Sequence, residues 1–278
     1  MELPFKIDLK EKLVVVTGGS GVICSELCRA LDACDAKIAI LDLGYENANK
    51  LADSLKHAKA YKCNVLDKKC LSEVHEQILQ DFGKVDILIN GAGGNNPKAT
   101  TDNEYFELND LNKEMKTFFD LDQEGFNFVF DLNILGTLLP TQEFAKDMIG
   151  KKGCSILNIS SMNAFTPLTK IPAYSSAKSA VSNFTKWLAV HFSHVGIRVN
   201  AIAPGFFSTA QNKTLLWNED GSPTARTHKI LDATPMGRFG EVNELVGATL
   251  FLLDEKAASF ITGVILPIDG GFSSYSGV

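Results

Sequence analysis

The chain is short of three things: an excess of basic charge, cysteines in any ligating pattern, and a long apolar run at its start. Lys and Arg number 27 against 33 Asp and Glu, for a formal charge of -6 and a pI near 5.4. A surface of that sign repels a phosphate backbone, which excludes nucleic acid and leaves small molecules as the expected partners. The six cysteines, Cys24, Cys28, Cys34, Cys63, Cys70 and Cys154, form no CxxC pair and have no interleaved histidines. That excludes a metal site and a disulfide framework, so the thiols read as reduced packing residues. The opening MELPFKIDLKEK alternates charged and apolar residues and lacks the stretch that a secretory leader or a membrane span requires. A cytoplasmic address without membrane attachment is expected.

What is present is the composition of a core-forming protein, with 45% hydrophobic and 22% charged residues, and no linker, repeat or low-complexity tract divides it. One domain spanning residues 1–278 is therefore expected. Apolar runs bounded by turns recur at Leu13–Thr17, Lys37–Asp42, Val85–Asn90, Ser155–Ser160, Arg198–Ala203 and Val264–Pro267, and read as strands buried on both faces. Helical periodicity fills the intervals at Ser25–Ala33, Glu46–Lys56, Leu71–Phe82, Asn127–Met148, Tyr174–His194 and Val242–Leu253. Strand and helix in alternation predict an α/β fold, a single doubly wound parallel sheet with helices on both faces. Two stretches break the rhythm. Residues 93–123 form a long polar insertion, and residues 206–234 an irregular stretch of the kind that covers binding sites as a lid.

The first predicted strand runs into Thr17-Gly18-Gly19-Ser20-Gly21 and a helix near Val22. Such a turn offers unpaired N–H groups and a helix dipole to a phosphate, although glycine-rich turns also serve only to reverse a chain. Asp42 ends the second strand about twenty residues beyond the turn, where an acidic side chain receives ribose hydroxyls and repels a 2′-phosphate. On that reading NAD is preferred to NADP; a solvated or capping aspartate is the other reading. Tyr174 and Lys178 stand four residues apart on one helix face. A tyrosine hydroxyl titrates near ~10, so it works as a base only where an ammonium stabilises the phenolate, and Lys178 offers that charge. Ser161, just past the Ser155–Ser160 strand, is positioned to hold a substrate oxygen beside Tyr174.

These features together resemble the short-chain dehydrogenase/reductase family from about Leu9 to Phe272, with Thr17–Gly21, Asn90-Gly91-Ala92-Gly93, Asn133, Ser161, Tyr174, Lys178 and Pro204-Gly205 in family order and spacing. The resemblance implies a Rossmann-type fold, hydride transfer with NAD, and a homotetramer. It implies that Asn133 keeps a water relay to Lys178 and that Ser161 and Tyr174 bind the reacting oxygen. For the cofactor it implies contacts from Gly18, Ser20, Gly21, Val22, Ile23 and Asp42, from Asn64 and Val65 at the adenine, and from Asn90 and Ala92 near the adenosine ribose. Tyr174, Lys178, Pro204, the Phe207 backbone and Thr209 would lie toward the nicotinamide. Val22 and Cys24 depart from the family by standing at the last two glycine positions, and Asn64 replaces the usual aspartate.

More finely, Gly18–Cys24, the NGAGGNNPKATT of Asn90–Thr101, Gln211-Asn212-Lys213 and Thr234–Gly240 resemble the D-mannonate oxidoreductase, or fructuronate reductase, subgroup. A sugar-acid pocket needs amides for hydroxyls and a cation for the carboxylate. Asn95, Asn96, Asn163 and Gln211 supply the first, and Lys98, Lys213, Arg226 and Arg238 the second; any of them can equally be a solvated loop residue. Arg226 and then Lys213 are the first choices for the carboxylate. His191, His194 and His228 read as packing or surface residues. Phe118, Phe119, Phe126, Phe128 and Phe130 read as helix core or an oligomer contact. Two other functions stay open: the same chemistry on another polyol or a keto-gluconate, and a catalytically inactive NAD-sensing regulator.

Overall fold

The computed structural model describes residues 7–209 and 216–277. Seven strands, β1 (Leu13–Thr17), β2 (Lys37–Asp42), β3 (Ala58–Lys62), β4 (Ile87–Asn90), β5 (Cys154–Ile159), β6 (Ile197–Pro204) and β7 (Ile265–Ile268), pair in parallel in the order β3-β2-β1-β4-β5-β6-β7. The order reverses between β1 and β4, and the crevice outside the strand carboxyl ends at such a reversal is where doubly wound sheets bind ligands.

Side chains alternate along each strand, so the sheet feeds two apolar layers. Val14, Val16, Ile38, Ile40, Ile87 and Ile89 meet Leu27 and Leu31 of α1 (Val22–Ala33) and Leu51 of α2 (Tyr45–Asp53) on one face. Leu13, Val15, Leu41 and Leu88 meet Leu71 and Ile78 of α3 (Lys68–Asp81) and Phe144 and Met148 further along on the other. Burying one such side chain contributes about 1.5–3 kcal/mol, against about 0–1 for a surface ion pair, so these layers hold the fold.

The helices after the insertion are α4 (Gln123–Phe130), α5 (Gly136–Met148), α6 (Pro172–His191), α7 (Ala225–Asp232) and α8 (Glu244–Leu253). The helix expected over Asn127–Met148 is not continuous: a π turn, Asp131–Leu135, divides α4 from α5. Its cause is visible in Asn133, whose Nδ2 donates to the Val129 carbonyl at 2.7 Å, the oxygen that an α-helix would give to the Asn133 backbone. Two elements had no counterpart in the sequence reading. The edge strand β3 carries exposed Lys59 and Lys62 beside buried Ala60 and Tyr61, the charged habit of a protected edge rather than an apolar run. Helix α7 lies inside the stretch read as irregular, and its signal was Thr224, whose side chain accepts from the Thr227 N–H as an N-cap.

The insertion is ordered by carboxylates that cap its own turns. Asp110, 1% exposed, accepts from the Glu107 N–H at 2.8 Å and the Lys113 ammonium at 2.8 Å, and Thr117 with Asp120 forms a capping box. Phe118 and Phe119, two members of the expected aromatic stripe, are exposed, whereas Phe126 and Phe130 stack at 5.3 Å against a small core.

Candidate active site

The turn from β1 into α1 is shaped by backbone lying on backbone. Gly18 has φ +60°, and a Cβ there would stand 2.9 Å from the Ala92 backbone. Gly21 caps α1 without a side-chain bond and the first turn holds no acid, so the N–H groups of Val22 and Ile23 meet no competing carboxylate from that turn. Cys24 resolves the departure from the family pattern. Its sulfur fills the notch left by Gly91, where a Cβ would be 2.1 Å away, so the missing glycine at 24 is matched by a glycine across the turn. Burial, and after it the Asp42 carboxylate, pushes the Cys24 thiol up to about 12.

Asp42 accepts from the Ser20 N–H at 3.0 Å, the Ser20 hydroxyl at 2.7 Å and the Gly44 N–H at 2.9 Å. Its carboxylate is fixed yet only half-buried, with acceptor capacity left for hydroxyl donors. Both donors of Ser20 are thereby committed to Asp42. Asn64 is exposed and its Oδ1 accepts from the Leu66 N–H, while Val65 is buried against Gly136. The Asn90 side chain turns inward, its Nδ2 donating to Thr141 Oγ1 at 3.0 Å and Asn158 Oδ1 at 2.9 Å, while its Oδ1 is buried without a partner. The Ala92 N–H donates to Thr17 Oγ1. Pro204 ends β6, and Phe207 bridges to Gly240 with its ring lying over that glycine. Thr209 closes the described part of this segment; Gln211 and Lys213 lie outside the described residues.

The reacting end is built by β5, the π turn and α6. Ser161 follows β5 and caps a short 3-10 turn, its Oγ accepting from the Asn163 N–H at 3.2 Å. Pro172 opens α6 at a position where its missing N–H costs nothing, which sets Tyr174 in the first turn and Lys178 one turn on. The Tyr174 hydroxyl lies within reach of the Ser161 side chain; burial raises the Tyr174 pKa, and Ser161 offsets only part of that rise. Tyr174 therefore keeps its proton at neutral pH. Burial pushes Lys178 down to about 8, and its ammonium donates to the Ile159 carbonyl at 2.8 Å, 5.6 Å from the Tyr174 ring centroid.

Asn133 joins them through Gly93. A Cβ at Gly93 would be 2.7 Å from Asn133 Oδ1 and 3.1 Å from Lys178 Nζ, so both atoms border one space that only glycine leaves open. Asn133 Nδ2 is spent on the Gly94 and Val129 carbonyls, and its Oδ1 is buried without a partner. A buried acceptor in that state, beside a lysine donor, forms a pair that a bridging hydroxyl fits, donating to one and accepting from the other.

The substrate candidates separate into three groups. Asn95 and Asn96 are engaged in the insertion's own turns, with Thr100 Oγ1 and the Lys98 N–H, and Arg238 is paired with Glu244. Asn163 is 4% exposed with an unpartnered Oδ1, and it lines a cavity of about 470 Å³. Arg226 lines an adjoining cavity of about 340 Å³ with Lys170, Lys229 and Glu104, three residues that sequence reasoning missed because they come together only in space. Of the histidines, His191 stacks on Trp187 at 4.6 Å. The most buried histidine is His75, placed between Glu143 and Asp147 at 2.9 Å each as a link between α3 and α5. Among the described residues no group of three or more His, Cys, Asp or Glu could hold a metal, and no helix is long and apolar enough to cross a membrane.

A reversal-point turn with an aspartate fixed at the end of the next strand, and a Ser-Tyr-Lys-Asn cluster at the same end of the sheet, is the plan of a dinucleotide-dependent dehydrogenase. The family model described as short chain dehydrogenase matches residues 12–220, and the chain belongs to that family. It is 61% identical over its whole length to 99% of an "Uncharacterized oxidoreductase" of Haemophilus influenzae. It is 47% identical, over 99% of its length, to the whole of an "Uncharacterized oxidoreductase UxuB" of Bacillus subtilis. A solved structure from Haemophilus, described as "a putative D-Mannonate oxidoreductase" with bound NAD, superposes with a TM-score of 0.95 at 61% identity, covering all of both chains.

Proposed function

We propose that the protein is an NAD-dependent oxidoreductase that interconverts the carbonyl of a keto-hexuronate and the hydroxyl of the matching aldonate, the D-fructuronate and D-mannonate pair. The observation that carries the chemistry is the buried Tyr174 hydroxyl, acted on by Ser161, with the buried Lys178 ammonium 5.6 Å from its ring. NAD(H), when bound, supplies or accepts the hydride. The β1–α1 turn and Asp42 fit it: a capless helix start for the pyrophosphate through Gly18, Gly21, Val22 and Ile23, and a fixed carboxylate for two ribose hydroxyls. The same negative charge disfavours a 2′-phosphate.

In reduction, Ser161 holds the carbonyl oxygen and Tyr174 gives it a proton, which its raised pKa keeps available at neutral pH. Lys178 steadies the phenolate left behind, and Asn133 Oδ1 completes the path by which a proton returns. In oxidation the roles reverse, and the raised Tyr174 pKa makes that direction favour alkaline conditions. The D-mannonate assignment draws its support from the solved relative's description and from the cation-lined cavity beside Asn163 and Arg226.

The test is NADH oxidation against a panel of keto-uronates, keto-gluconates and neutral ketoses. A keto-uronate should give the highest kcat/KM. Arg226→Ala should raise the KM for it about ten- to a hundredfold, the loss of a charge-assisted bond of ~1.5–3 kcal/mol, with NADH affinity intact. A parent that reduces neutral ketones better than any acid would overturn the sugar-acid part and leave the dehydrogenase part standing.

A further inference from the structure

Lys170 lies in the loop between Ser161 and Tyr174, four residues before the tyrosine, and it is one of two non-glycine residues with a positive φ, at +71°, among the described residues. A lysine adopts that conformation rarely, and such positions cluster at active sites and ligand clamps. Here the enforcing contact is plain: the Thr101 N–H, from the insertion, donates to the Lys170 carbonyl at 2.9 Å. Lys170 is also a member of both the 340 Å³ and the 470 Å³ cavities, which share it and Leu168. It therefore stands at the junction between the space that holds Asn163 and Ser175 and the space that holds Arg226.

The charges at that junction are unequally spent. Lys229 of α7 reaches both oxygens of Glu104 at 2.9 Å, which neutralises the single acid of the smaller cavity and lowers its pKa. The side chains of Lys170 and Arg226 make no hydrogen bond or ion pair among the described residues and act on Glu104 only at longer range, so the cavity keeps an excess of positive charge above an apolar floor where the Phe206 and Phe272 rings meet edge to face at 5.3 Å. The adjoining cavity adds two buried polar atoms that lack partners, Asn163 Oδ1 and Ser175 Oγ, each residue 4% exposed. Unpartnered buried polar groups beside unpaired cations are what a small, hydroxylated anion would satisfy.

We propose that Lys170 is the specificity-determining residue of the site, its ammonium receiving the carboxylate of the anionic ketose with Arg226 reaching the same group from α7, while Asn163, in the turn that Ser161 caps, takes a hydroxyl. The proposal rests on the sugar-acid reading above and deepens it. It also assigns Glu104 a positioning role: by holding Lys229 it keeps α7, and so Arg226, against the insertion.

The experiment compares a keto-hexuronate with the ketohexose that carries a hydroxymethyl group in place of the carboxylate, using the parent, Lys170→Met, Lys170→Arg and Arg226→Ala. Lys170→Met should raise the KM for the acid ten- to a hundredfold with kcat changed less than threefold, leave the ketohexose within twofold, and leave NADH affinity unchanged. Lys170→Arg should restore most of the loss. If Lys170→Met leaves the acid's KM within twofold, or lowers both substrates equally, or if Lys170→Arg is as impaired as Lys170→Met, Lys170 is not the carboxylate's partner. In that event a parent that still prefers the acid and an impaired Arg226→Ala preserve the sugar-acid reading, with the carboxylate bound elsewhere. A parent indifferent to the carboxylate overturns both. Lys170→Gly, which suits the positive φ, guards against a folding artefact: it should match Lys170→Met in KM while unfolding at no lower temperature.

Discussion

The β1–α1 turn and the 93–123 insertion both border the site, and they are held in place by different means. In the turn, backbone rests on backbone: Gly18 lies over Ala92, Cys24 fills the notch at Gly91, and Asp42 is tied down by Ser20 and Gly44. In the insertion, position comes from carboxylates that cap local turns, and from one ion pair, Glu104 to Lys229, that spans 125 residues of sequence. The first device depends on residue spacing and small size, so it is written locally. The second depends on which distant residues meet. The turn should accordingly be intolerant of substitution and insensitive to salt, and the insertion the reverse.

The sharpest way to test the reacting centre that these two regions share is Tyr174→Phe. Loss of the proton donor should lower turnover by roughly 10²–10⁴-fold while NAD affinity stays within a few-fold, since the turn that would hold the cofactor is untouched. Wild-type-like activity would remove Tyr174 from the mechanism.

Lys178→Met should also abolish turnover, but stability is the more informative readout. The folded protein gives up the Lys178 proton at about 8, the unfolded chain at 10.5. The unfolded state thus binds more protons between those values, and the folded state gains stability as pH rises through that window, having carried the full cost of a buried ammonium below it. That cost is on the order of 3 kcal/mol, offset by roughly 1 kcal/mol for the bond to the Ile159 carbonyl. Lys178→Met should therefore be the more stable protein at neutral pH by about 2 kcal/mol, with that advantage lost as pH rises from about 8 toward 10.5 in urea titrations. A variant less stable at pH 7 would mean that the lysine is held by more than the Ile159 carbonyl.

Asp42→Ala breaks the turn's own side of the contrast. It removes a ribose acceptor and a charge, so NAD binding should weaken about tenfold or more while NADP discrimination relaxes, as measured by fluorescence titration of both reduced cofactors. A parent already indifferent between them would disqualify Asp42. The smallest effect is expected at Glu104→Gln: its lysine partner is two-thirds exposed, so stability should change by less than about 1 kcal/mol and the change should disappear in high salt. A larger, salt-independent loss would show that the insertion is anchored as the turn is.

The contrast also explains what the sequence revealed. Six of the seven strands were legible from their apolar runs, five of them buried on both faces and β7 apolar at the sheet edge, and Ser161, Tyr174 and Lys178 because strand end and helix turn fix their spacing. The edge strand β3 was not, since its lysines break the apolar run. The π turn was hidden too, because it depends on the Asn133 side chain choosing a backbone carbonyl. The insertion was harder still. Asn95 and Asn96 were plausible substrate partners by type, yet their amides close local turns, while Lys170, Lys229 and Glu104 carry no motif and acquire meaning only by meeting.

The Cys24 thiol, seated in the Gly91 notch and held protonated far above neutral pH, makes the turn report on itself. An alkylating reagent can reach that sulfur only after the start of α1 lifts away from Gly91, so the labelling rate of this one cysteine counts openings of the phosphate-facing turn. The partly exposed Cys70 supplies an internal reference for reagent strength. The residue that replaced a glycine thus turned a silent backbone contact into a clock, and any ligand that rests on the turn must slow it.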